Sequence, residues 1–398
     1  MSRSAARTYR DPLRPDLPLI PRDVWDFAPY HRWTFQHIRE MTATEQIWRG
    51  RGGQMTISKD LQDLGGIGFG AATEAKTVAQ YLEDSFTDGF LVIHDNSIVT
   101  ETYMNGLKPH GTHLAMSVTK SIVGVVAGIL SSRGLLDPEA PITQYLPELE
   151  ATAYRGASVQ HLLDMASGVT FDESYTTPGS HMQQIDQACG WKAHTRPGWP
   201  RTMWDLILSL AELDGEHGRV FNYRSIETDV LGLVLQRAGG LTLAELISDE
   251  LWAPMGAEED AYITVDDRGL ALADGGFCAT LRDYGRFAKL LLDGGNRDGR
   301  QIIPADWIEE TRNGGGASFE GIYRKVLPNR AYHNKFWIED TRRRTLLARG
   351  IHGQFIFVDP EARLAIVQLS TWPTPLNQAL SIEFLRATHA IRRELCGV

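Results

Sequence analysis

Residues 122–130 place the strongest constraint on how this chain can fold, because they contain no polar or charged side chain. The segment Met116-Ser117-Val118-Thr119-Lys120 comes just before them, and Arg133-Gly134 follows as a helix stop. A helix that is apolar on most of its faces lies inside a protein. The stretch therefore predicts a central helix that begins near Ser117, with the rest of the chain packed around it.

Ser117 and Lys120 are three residues apart, so they lie on the same face of that helix. A serine hydroxyl attacks a carbonyl at neutral pH only when an adjacent base takes its proton. A lysine desolvated by apolar neighbours has a lowered pKa that suits it to this task. The alternative, a surface serine beside a solvated lysine, is disfavoured by the apolar context. The pair therefore predicts a serine nucleophile at the start of a helix, where an amide N–H stabilises developing negative charge.

The length of 398 residues predicts two domains, or one large domain with an insertion. Strand-like patterns lie before residue 111 and after residue 254, whereas the intervening block has helical periods separated by Pro and Gly turns. We therefore predict a discontinuous α/β sheet domain, residues 1–110 and 255–398, and an inserted all-helical domain, residues 111–254. The active site is expected in the cleft between them.

Several segments carry clear local patterns. Residues 90–94 and 97–104 flank Asp95-Asn96 and predict an antiparallel hairpin. Further predicted elements are an extended arm to about residue 21, an aromatic-rich helix over 24–41, strands over 261–265, 335–339, 355–358 and 364–369, and helices over 281–292 and about 375–394. The predicted sheet thus takes strands from both ends of the chain.

Charge and cysteine content exclude several function classes. The formal net charge of −10 argues against nucleic acid or an anionic membrane as partner. The three cysteines are scattered and form no CxxC, and His110 with His113 lacks a third ligand, so no disulfide framework or metal site is expected. The N-terminal 23 residues contain no apolar run of signal-peptide length. We expect a cytoplasmic protein without cofactors; a homodimer is an open possibility.

Two further segments are candidates for completing the site. Tyr223 lies in Phe221-Asn222-Tyr223-Arg224-Ser225, a turn before an amphipathic run, and a tyrosine can pass a proton to a leaving group. The alternative is a core tyrosine bonded to backbone. In Gly350-Ile351-His352-Gly353-Gln354 the glycines permit close approach, and an amide N–H there can join that of Ser117 as an oxyanion hole. The alternatives are a β-bulge at Gly353 and a structural histidine.

The order Ser-x-x-Lys, Tyr-x-Ser and glycine-flanked His-Gly resembles the penicillin-recognising serine hydrolases. That family includes class C β-lactamases, D-amino-acid peptidases and related esterases. The resemblance implies a β-lactamase-like fold, an antiparallel sheet flanked by helices. This chain carries no Lys-Thr-Gly, which argues against β-lactam turnover as the main activity.

Over nearly its whole length the chain is similar to the amidase branch of that family, the 6-aminohexanoate-dimer (nylon-oligomer) hydrolases. The matching stretches include 31–33, 116–120, 163–165, 190–191, 228–231, 263–266, 292–295, 350–354 and 369–373. The resemblance implies Ser117 as nucleophile, Lys120 and Tyr223 as proton-handling residues, and the amides of Ser117 and Ile351 as the oxyanion hole. A small-molecule amide or ester is the implied substrate.

The resemblance also implies four substrate-binding residues. Tyr175 takes the place of a loop tyrosine that contacts the scissile amide nitrogen, and Asp186 that of an aspartate that binds a terminal ammonium. Taken alone, either is equally a solvated loop residue. Asp274 stands where efficient amidases carry Asn and adds negative charge near the pocket, which favours a cationic substrate. His352 is the fourth.

We therefore predict a serine hydrolase that cleaves an amide or ester through an acyl-enzyme. A carboxylesterase or a D-amino-acid peptidase of the same fold is the first alternative. A non-catalytic binding protein is the alternative from another class, and its mark would be a broken Ser117, Lys120 or Tyr223 position. All three positions are intact.

Overall fold

The computed structural model describes residues 20–70, 75–315, 317–326 and 330–397. Most of the predicted N-terminal arm lies outside these residues. The strands are β1 Thr44–Ile47, β2 Ser58–Lys59, β3 Gly68–Phe69, β4 Lys76–Thr77, β5 Thr87–His94, β6 Ser97–Tyr103, β7 Thr112–Leu114, β8 Ala261–Thr264, β9 Phe277–Thr280, β10 Asn296–Arg297, β11 Arg300–Gln301, β12 Ala331–His333, β13 Phe336–Ile338, β14 Leu346–Gly350, β15 Gln354–Asp359 and β16 Leu364–Ser370.

The α-helices are concentrated between the two groups of strands. They are α1 His31–Thr34, α2 Val78–Asp84, α3 Val118–Ser132, α4 Ile142–Tyr145, α5 Val159–Leu163, α6 His181–Ala188, α7 Met203–Ser209, α8 Ile226–Gly239, α9 Leu243–Ile247, α10 Ala253–Met255, α11 Leu281–Leu292, α12 Ala305–Asn313, α13 Gly321–Val326 and α14 Gln378–Cys396. Short 3₁₀ turns cover Arg22–Val24, Ile38–Glu40, Pro147–Ala151 and Ile351–Gly353, and a π turn covers Ser248–Trp252.

The main sheet has eight strands in the order β12-β13-β14-β15-β16-β5-β6-β2. Neighbouring strands are antiparallel except β2 and β6, which pair in parallel at one edge. The predicted hairpin is β5 with β6, and the partner of β5 on its other side is β16 from the C-terminal region. The prediction of an antiparallel sheet built from both ends of the chain is confirmed.

Both faces of the main sheet are covered, which explains why β5 is apolar along most of its length. Leu91 and Ile93 point into the core shared with the helical block. Phe90 and Val92 point to the opposite face and pack with side chains of α2 and α14. Alternate residues of one strand therefore serve two cores.

A second sheet, of four strands in the order β1-β8-β9-β7, was not predicted. One of its strands, β8, lies within the strand predicted over 261–265. All four strands have only three or four residues, so the other three show no clear alternation pattern in the sequence. Strand β7 leads directly into α3, so its pairing with β9 positions the start of that helix. Thr112–Leu114 thus belongs to a sheet although the predicted helical domain begins at residue 111; the domain boundaries remain a prediction.

Helix α3 is the central element, as predicted, and residues 118–130 are all buried along it. It packs on α8 and α9 of the helical block and on β13, β14 and β15 of the main sheet. Gly124 and Gly128 allow this approach, because an added Cβ would lie 2.4 Å from the Asn334 carbonyl oxygen or 2.5 Å from the Trp307 ring. The helix is therefore held between sheet and helical block.

The predicted helix over 24–41 was wrong. Short turns replace it, with α1 limited to His31–Thr34. Pro29 disfavours helical backbone at the residue before it and cannot donate a helical hydrogen bond.

Among the described helices, none alone is long and apolar enough to cross a membrane. Two consecutive helices, Ile226–Gly239 and Leu243–Met255, together have the length and composition of a membrane span, but the chain bends by 77° between them.

Candidate active site

The Ser117 side chain lies at a sharp turn between β7 and α3. Met116, just before it, has a positive φ of 49°, a left-handed conformation that is uncommon for a residue with a side chain. Ser117 is the N-cap of α3, and its side chain makes no capping bond. The hydroxyl is therefore not bonded to the amides at the start of α3, and Ser117 lines a cavity of about 710 Å³.

Lys120 follows Ser117 by one turn and contacts it directly. The Nζ of Lys120 donates a 3.0 Å hydrogen bond to Ser117 Oγ and a 2.6 Å bond to the backbone oxygen of Asp274. It also lies 3.6 Å from the Asp274 carboxylate. The predicted Ser–Lys pair is therefore present, and Asp274 contacts the lysine through both its backbone oxygen and its carboxylate.

Tyr223 reaches the same point from the helical block. Its hydroxyl interacts with the Ser117 side chain closely enough to affect the pKa of Tyr223, and the Lys120 Nζ lies 5.4 Å from the centroid of its ring. The ring stacks on Trp337, with centroids 5.8 Å apart and an interplanar angle of 18°. The segment before it is held by bonds from the amides of Phe221 and Asn222 to backbone oxygens. The structure thus brings Ser117, Lys120 and Tyr223 together.

The pKa of Lys120 differs in direction from the sequence-based expectation. Burial alone lowers the pKa of this lysine, but the negative charges of ionised Tyr223, Asp274 and Glu173 outweigh burial and raise it. The expectation considered only apolar neighbours along α3. The carboxylates come from distant parts of the chain, and they keep Lys120 as an ammonium.

The pKa of Tyr223 is also raised, chiefly by burial and further by the negative charge of Glu173. The Lys120 ammonium and the hydrogen bond with Ser117 act in the opposite direction. The attraction between the ammonium and the phenolate raises one pKa and lowers the other.

The end of β14 approaches the backbone of Ser117 closely. An added Cβ on Gly350 would lie 2.6 Å from the Ala115 oxygen and 3.0 Å from the Ser117 nitrogen. Ile351 follows at the start of a 3₁₀ turn. Among the described residues, neither the Ser117 nor the Ile351 amide has a hydrogen-bond acceptor. Both predicted oxyanion-hole donors are therefore available beside the nucleophile.

The cavity above Ser117 is lined by both apolar and polar side chains. The apolar ones come from β13 to β15 and α14 and include Trp337, Leu347, Phe355, Ile382 and Leu385. The charged ones are Glu173, Arg330 and Arg349. A mostly apolar wall with a few polar groups is typical of a site for a small organic molecule.

Tyr175 lines the cavity, as predicted, and a neighbouring carboxylate that the sequence analysis missed lines it too. The Tyr175 hydroxyl donates a 3.0 Å bond to Glu173. Glu173 also accepts bonds from the Ser225 amide, 2.8 Å, and hydroxyl, 2.6 Å. Burial raises the pKa of Glu173 to about 7. Its position two residues before Tyr175 was the only available signal.

Asp274 lies behind Lys120 and is absent from the described cavity wall. Its amide donates a 3.1 Å bond to Asp229, whose pKa is raised well above its ordinary value by burial and by the charge of Asp274. The structure therefore relates Asp274 to the lysine. The Asp274 carboxylate does not line the described cavity. This differs from the expectation that Asp274 contacts the substrate.

Asp186 and His352 also lie away from the described cavity lining. Asp186 is 2.8 Å from Lys192 Nζ, which lies 3.2 Å from Asp26 as well, so its charge is already paired. His352 is buried, and its Nδ1 is 2.7 Å from the Trp372 oxygen. Burial lowers the pKa of His352 to about 3. Neither side chain lines the described cavity in this conformation, and their substrate-binding roles remain predictions.

Among the described residues, no group of three or more His, Cys, Asp or Glu side chains could hold a metal ion. Of the two histidines considered above, His113 has an identified partner. It is buried in β7, and its Nε2 lies 3.2 Å from Asp88.

Comparisons with known proteins identify the family of this chain. A beta-lactamase family model matches residues 75–390. The chain belongs to the beta-lactamase family. The 6-aminohexanoate-dimer hydrolase of Paenarthrobacter ureafaciens is 34% identical and is matched over 93% of this chain and 94% of its own length. These matches confirm the predicted family and the predicted fold. They also confirm the prediction that the protein is a hydrolase of this serine hydrolase superfamily.

Solved structures extend the comparison. A candidate 6-aminohexanoate-dimer hydrolase from Bacillus anthracis superposes with a TM-score of 0.86 at 28% identity, over 94% of this chain and 97% of its own. A D-stereospecific amidohydrolase from Streptomyces has a TM-score of 0.57 at 16% identity, over 80% of this chain and 98% of its own, and so shares the fold.

Proposed function

We propose that this member of the beta-lactamase family hydrolyses a small amide or ester through an acyl-enzyme on Ser117. The observation that carries the proposal is the 3.0 Å bond between Lys120 Nζ and Ser117 Oγ, made beside a cavity that Ser117 and Tyr223 both line. A nucleophile and proton-transfer groups in hydrogen-bond contact are what covalent catalysis requires.

In the proposed first step, Ser117 Oγ attacks the carbonyl carbon while its proton passes to the phenolate oxygen of Tyr223. The oxyanion that forms accepts bonds from the amides of Ser117 and Ile351. The bond from the carbonyl carbon to the leaving nitrogen or oxygen then breaks, and Tyr223 returns the proton to the leaving atom.

In the second step, a water molecule attacks the ester of Ser117 and gives its proton to Tyr223. The acid is released and Ser117 Oγ regains the proton. Lys120 stays an ammonium throughout, since four negatively charged groups raise its pKa, and it stabilises the phenolate. This assigns the base role to Tyr223 and the electrostatic role to Lys120, a choice that the sequence analysis left open.

The substrate proposed is a small amide of the kind that the P. ureafaciens relative is named for, the 6-aminohexanoate dimer. Tyr175 at the cavity wall supports an amide substrate because its hydroxyl can contact the scissile nitrogen. A carboxylesterase and a D-amino-acid peptidase are the alternatives within the fold. Turnover of the dimer, of short-chain esters and of D-aminoacyl amides by one preparation separates the three.

Ser117→Ala tests the mechanism, with Ser132→Ala at the far end of the same helix as control. We expect Ser117→Ala to abolish release of 4-nitrophenol from 4-nitrophenyl butanoate and labelling by a fluorophosphonate, at unchanged thermal stability. The control variant should retain both. Turnover by Ser117→Ala at the wild-type rate would refute the acyl-enzyme.

The cytoplasmic location and the homodimer remain predictions. Fractionation of the native source and light scattering of the purified protein test them.

A further inference from the structure

Two histidine side chains share one backbone acceptor next to the proposed oxyanion hole. His352 follows Ile351 directly in the chain, and its Nδ1 lies 2.7 Å from the Trp372 oxygen. The Nε2 of His31, on α1, lies 2.9 Å from the same oxygen, although 341 positions separate His31 from Trp372. Both rings are buried, and their centroids are 5.3 Å apart. We call His31, His352 and the Trp372 carbonyl group the histidine clamp.

The shared acceptor determines where the proton lies on each ring. A carbonyl oxygen only accepts hydrogen bonds, so His352 donates from Nδ1 and His31 donates from Nε2. The other ring nitrogens, Nε2 of His352 and Nδ1 of His31, are buried without a hydrogen-bond partner among the described residues. A second proton on either ring would be a buried donor without an acceptor. Burial accordingly lowers the pKa of both histidines, so each is a neutral ring with one defined donor.

The backbone of His352 has a conformation that its surroundings must hold. Its φ of 59° and ψ of 18° lie in the left-handed region, which is uncommon for a residue with a side chain. Its amide donates a 2.9 Å bond to the Pro375 oxygen, and its own carbonyl oxygen accepts a 3.1 Å bond from the Trp372 amide. Such a conformation persists only where several contacts fix it. The side-chain bond to Trp372 is the third contact between His352 and segment 372–375.

The direction of the Ile351 amide depends on this turn. Ile351 and His352 belong to the same 3₁₀ turn at the end of β14. Relaxation of His352 to a negative φ would shift the turn and the Ile351 amide with it. An oxyanion donor is effective only when it lies within hydrogen-bond distance of the position that the oxyanion takes. Trp372 and Pro375 also line the cavity, so the histidine clamp links the cavity wall to the proposed donor.

We propose that His352 and His31 are positioning residues for hydrolysis at Ser117, because their bonds to the Trp372 oxygen hold the Ile351 amide in the oxyanion hole. The inference rests on the proposed function and adds two residues that act without touching the substrate. It is consistent with the place of His352 outside the described cavity lining.

Asparagine and glutamine substitutions distinguish the two donors. The amide nitrogen of Asn takes the place of the histidine Nδ1, and that of Gln takes the place of Nε2. Asn also adopts the left-handed region more readily than Gln does. We therefore expect His352→Asn to retain activity and His352→Gln to lose it. At the other position the order reverses, so His31→Gln should retain activity and His31→Asn should lose it.

The measurements are kcat/KM for 4-nitrophenyl butanoate, the melting temperature, and the Ki of n-butylboronic acid, whose tetrahedral adduct with a serine places an oxygen in an oxyanion hole. His352→Gln should lower kcat/KM roughly 10- to 100-fold, as for a displaced oxyanion donor, and should raise Ki by a similar factor. His31→Asn should lower kcat/KM roughly 3- to 10-fold, since the bond from His352 remains.

His37→Gln is the matched control. The Nδ1 of His37 also lies within hydrogen-bond distance of a backbone oxygen, that of Trp33 at 2.8 Å, but His37 is not part of the histidine clamp. The control variant should keep the wild-type kcat/KM and Ki. A loss equal to that in His352→Gln would overturn the proposal, because the effect would then not be specific to the clamp.

Equal activity of the Asn and Gln variants at either position would also overturn the positioning role, because the location of the donor would not matter. A lower melting temperature in His352→Gln, with wild-type kcat/KM and Ki in the folded enzyme, would reduce the clamp to a structural contact and overturn it too. If His352→Gln does not fold, the two His31 variants decide by the same rule. Absence of hydrolysis by the wild type, or undiminished hydrolysis by Ser117→Ala, would instead reject the proposed hydrolase.

Discussion

Gly350→Ala is the substitution for which the geometry yields the most quantitative prediction. The backbone of Gly350 has a φ of −123°, which any residue adopts, so the substitution acts only through the added methyl group. That methyl would lie 2.6 Å from the Ala115 oxygen and 3.0 Å from the Ser117 nitrogen. Both of those atoms are backbone and have no side-chain rotation with which to move away.

A relaxed carbon–oxygen contact is about 3.4 Å, so the end of β14 must move roughly 0.8 Å from the Ser117 turn. The Ile351 amide moves with it. Misplacing a catalytic group by about 1 Å costs on the order of 100-fold in rate, and loss of one oxyanion donor costs about 10²- to 10³-fold. We therefore expect kcat for an ester to fall roughly 100-fold with little change in KM. Overpacking should also lower the free energy of unfolding by about 1–3 kcal/mol.

The assay is hydrolysis of 4-nitrophenyl butanoate, with urea denaturation as the measure of folding. Gly275→Ala is the matched control, because its methyl group would come no closer than 3.6 Å, to the Trp191 ring. The control should keep activity within a few-fold of wild type. A folded Gly350→Ala enzyme with wild-type kcat would refute the placement of the oxyanion hole.

Two further predictions concern stability. Burial raises the pKa of Glu173 from 4.5 to about 7, so the folded state binds the proton more tightly than the unfolded state, and stability falls as pH rises between these values. Relative to Glu173→Gln, the wild type should lose up to about 3 kcal/mol of unfolding free energy between pH 4.5 and 7.5. The measurement is urea denaturation of both proteins at each pH. If the unfolding free energies of the two proteins changed in parallel with pH, a raised pKa of Glu173 would be excluded. Gly124→Ala should destabilise by roughly 1–3 kcal/mol, since its methyl group would lie 2.4 Å from the Asn334 oxygen, whereas Gly215→Ala, with nothing within 4 Å, should change stability by about 1 kcal/mol or less. Equal melting temperatures for the two glycine variants would contradict that packing argument.

Local patterns predicted the elements whose causes are local. Helix α3 was found because residues 122–130 are apolar throughout, and the β5–β6 hairpin because two β-prone runs flank a two-residue turn. The second sheet was missed as a sheet. Only its strand β8 was predicted, because the other strands are equally short and their pairing joins residues far apart in sequence.

The site divides in the same way. The contact between Ser117 and Lys120 follows from a spacing of three on a helix, and the structure gives it as a 3.0 Å bond. The protonation state of Lys120 could not be predicted from the sequence, because the sequence shows only its apolar neighbours along the helix. The raising of its pKa comes chiefly from Tyr223, Asp274 and Glu173, which are 53 to 154 residues away in the chain.

The sequence by itself determined that a buried helix begins at a serine with a lysine one turn later, because helical geometry depends on neighbours a few residues apart. Only the tertiary structure decided which groups surround that pair. It brought Glu173 and Arg349 to the cavity wall and left Asp186 paired with Lys192 away from the described cavity lining. Charges and close contacts act through space, so their partners are known only once the chain has folded.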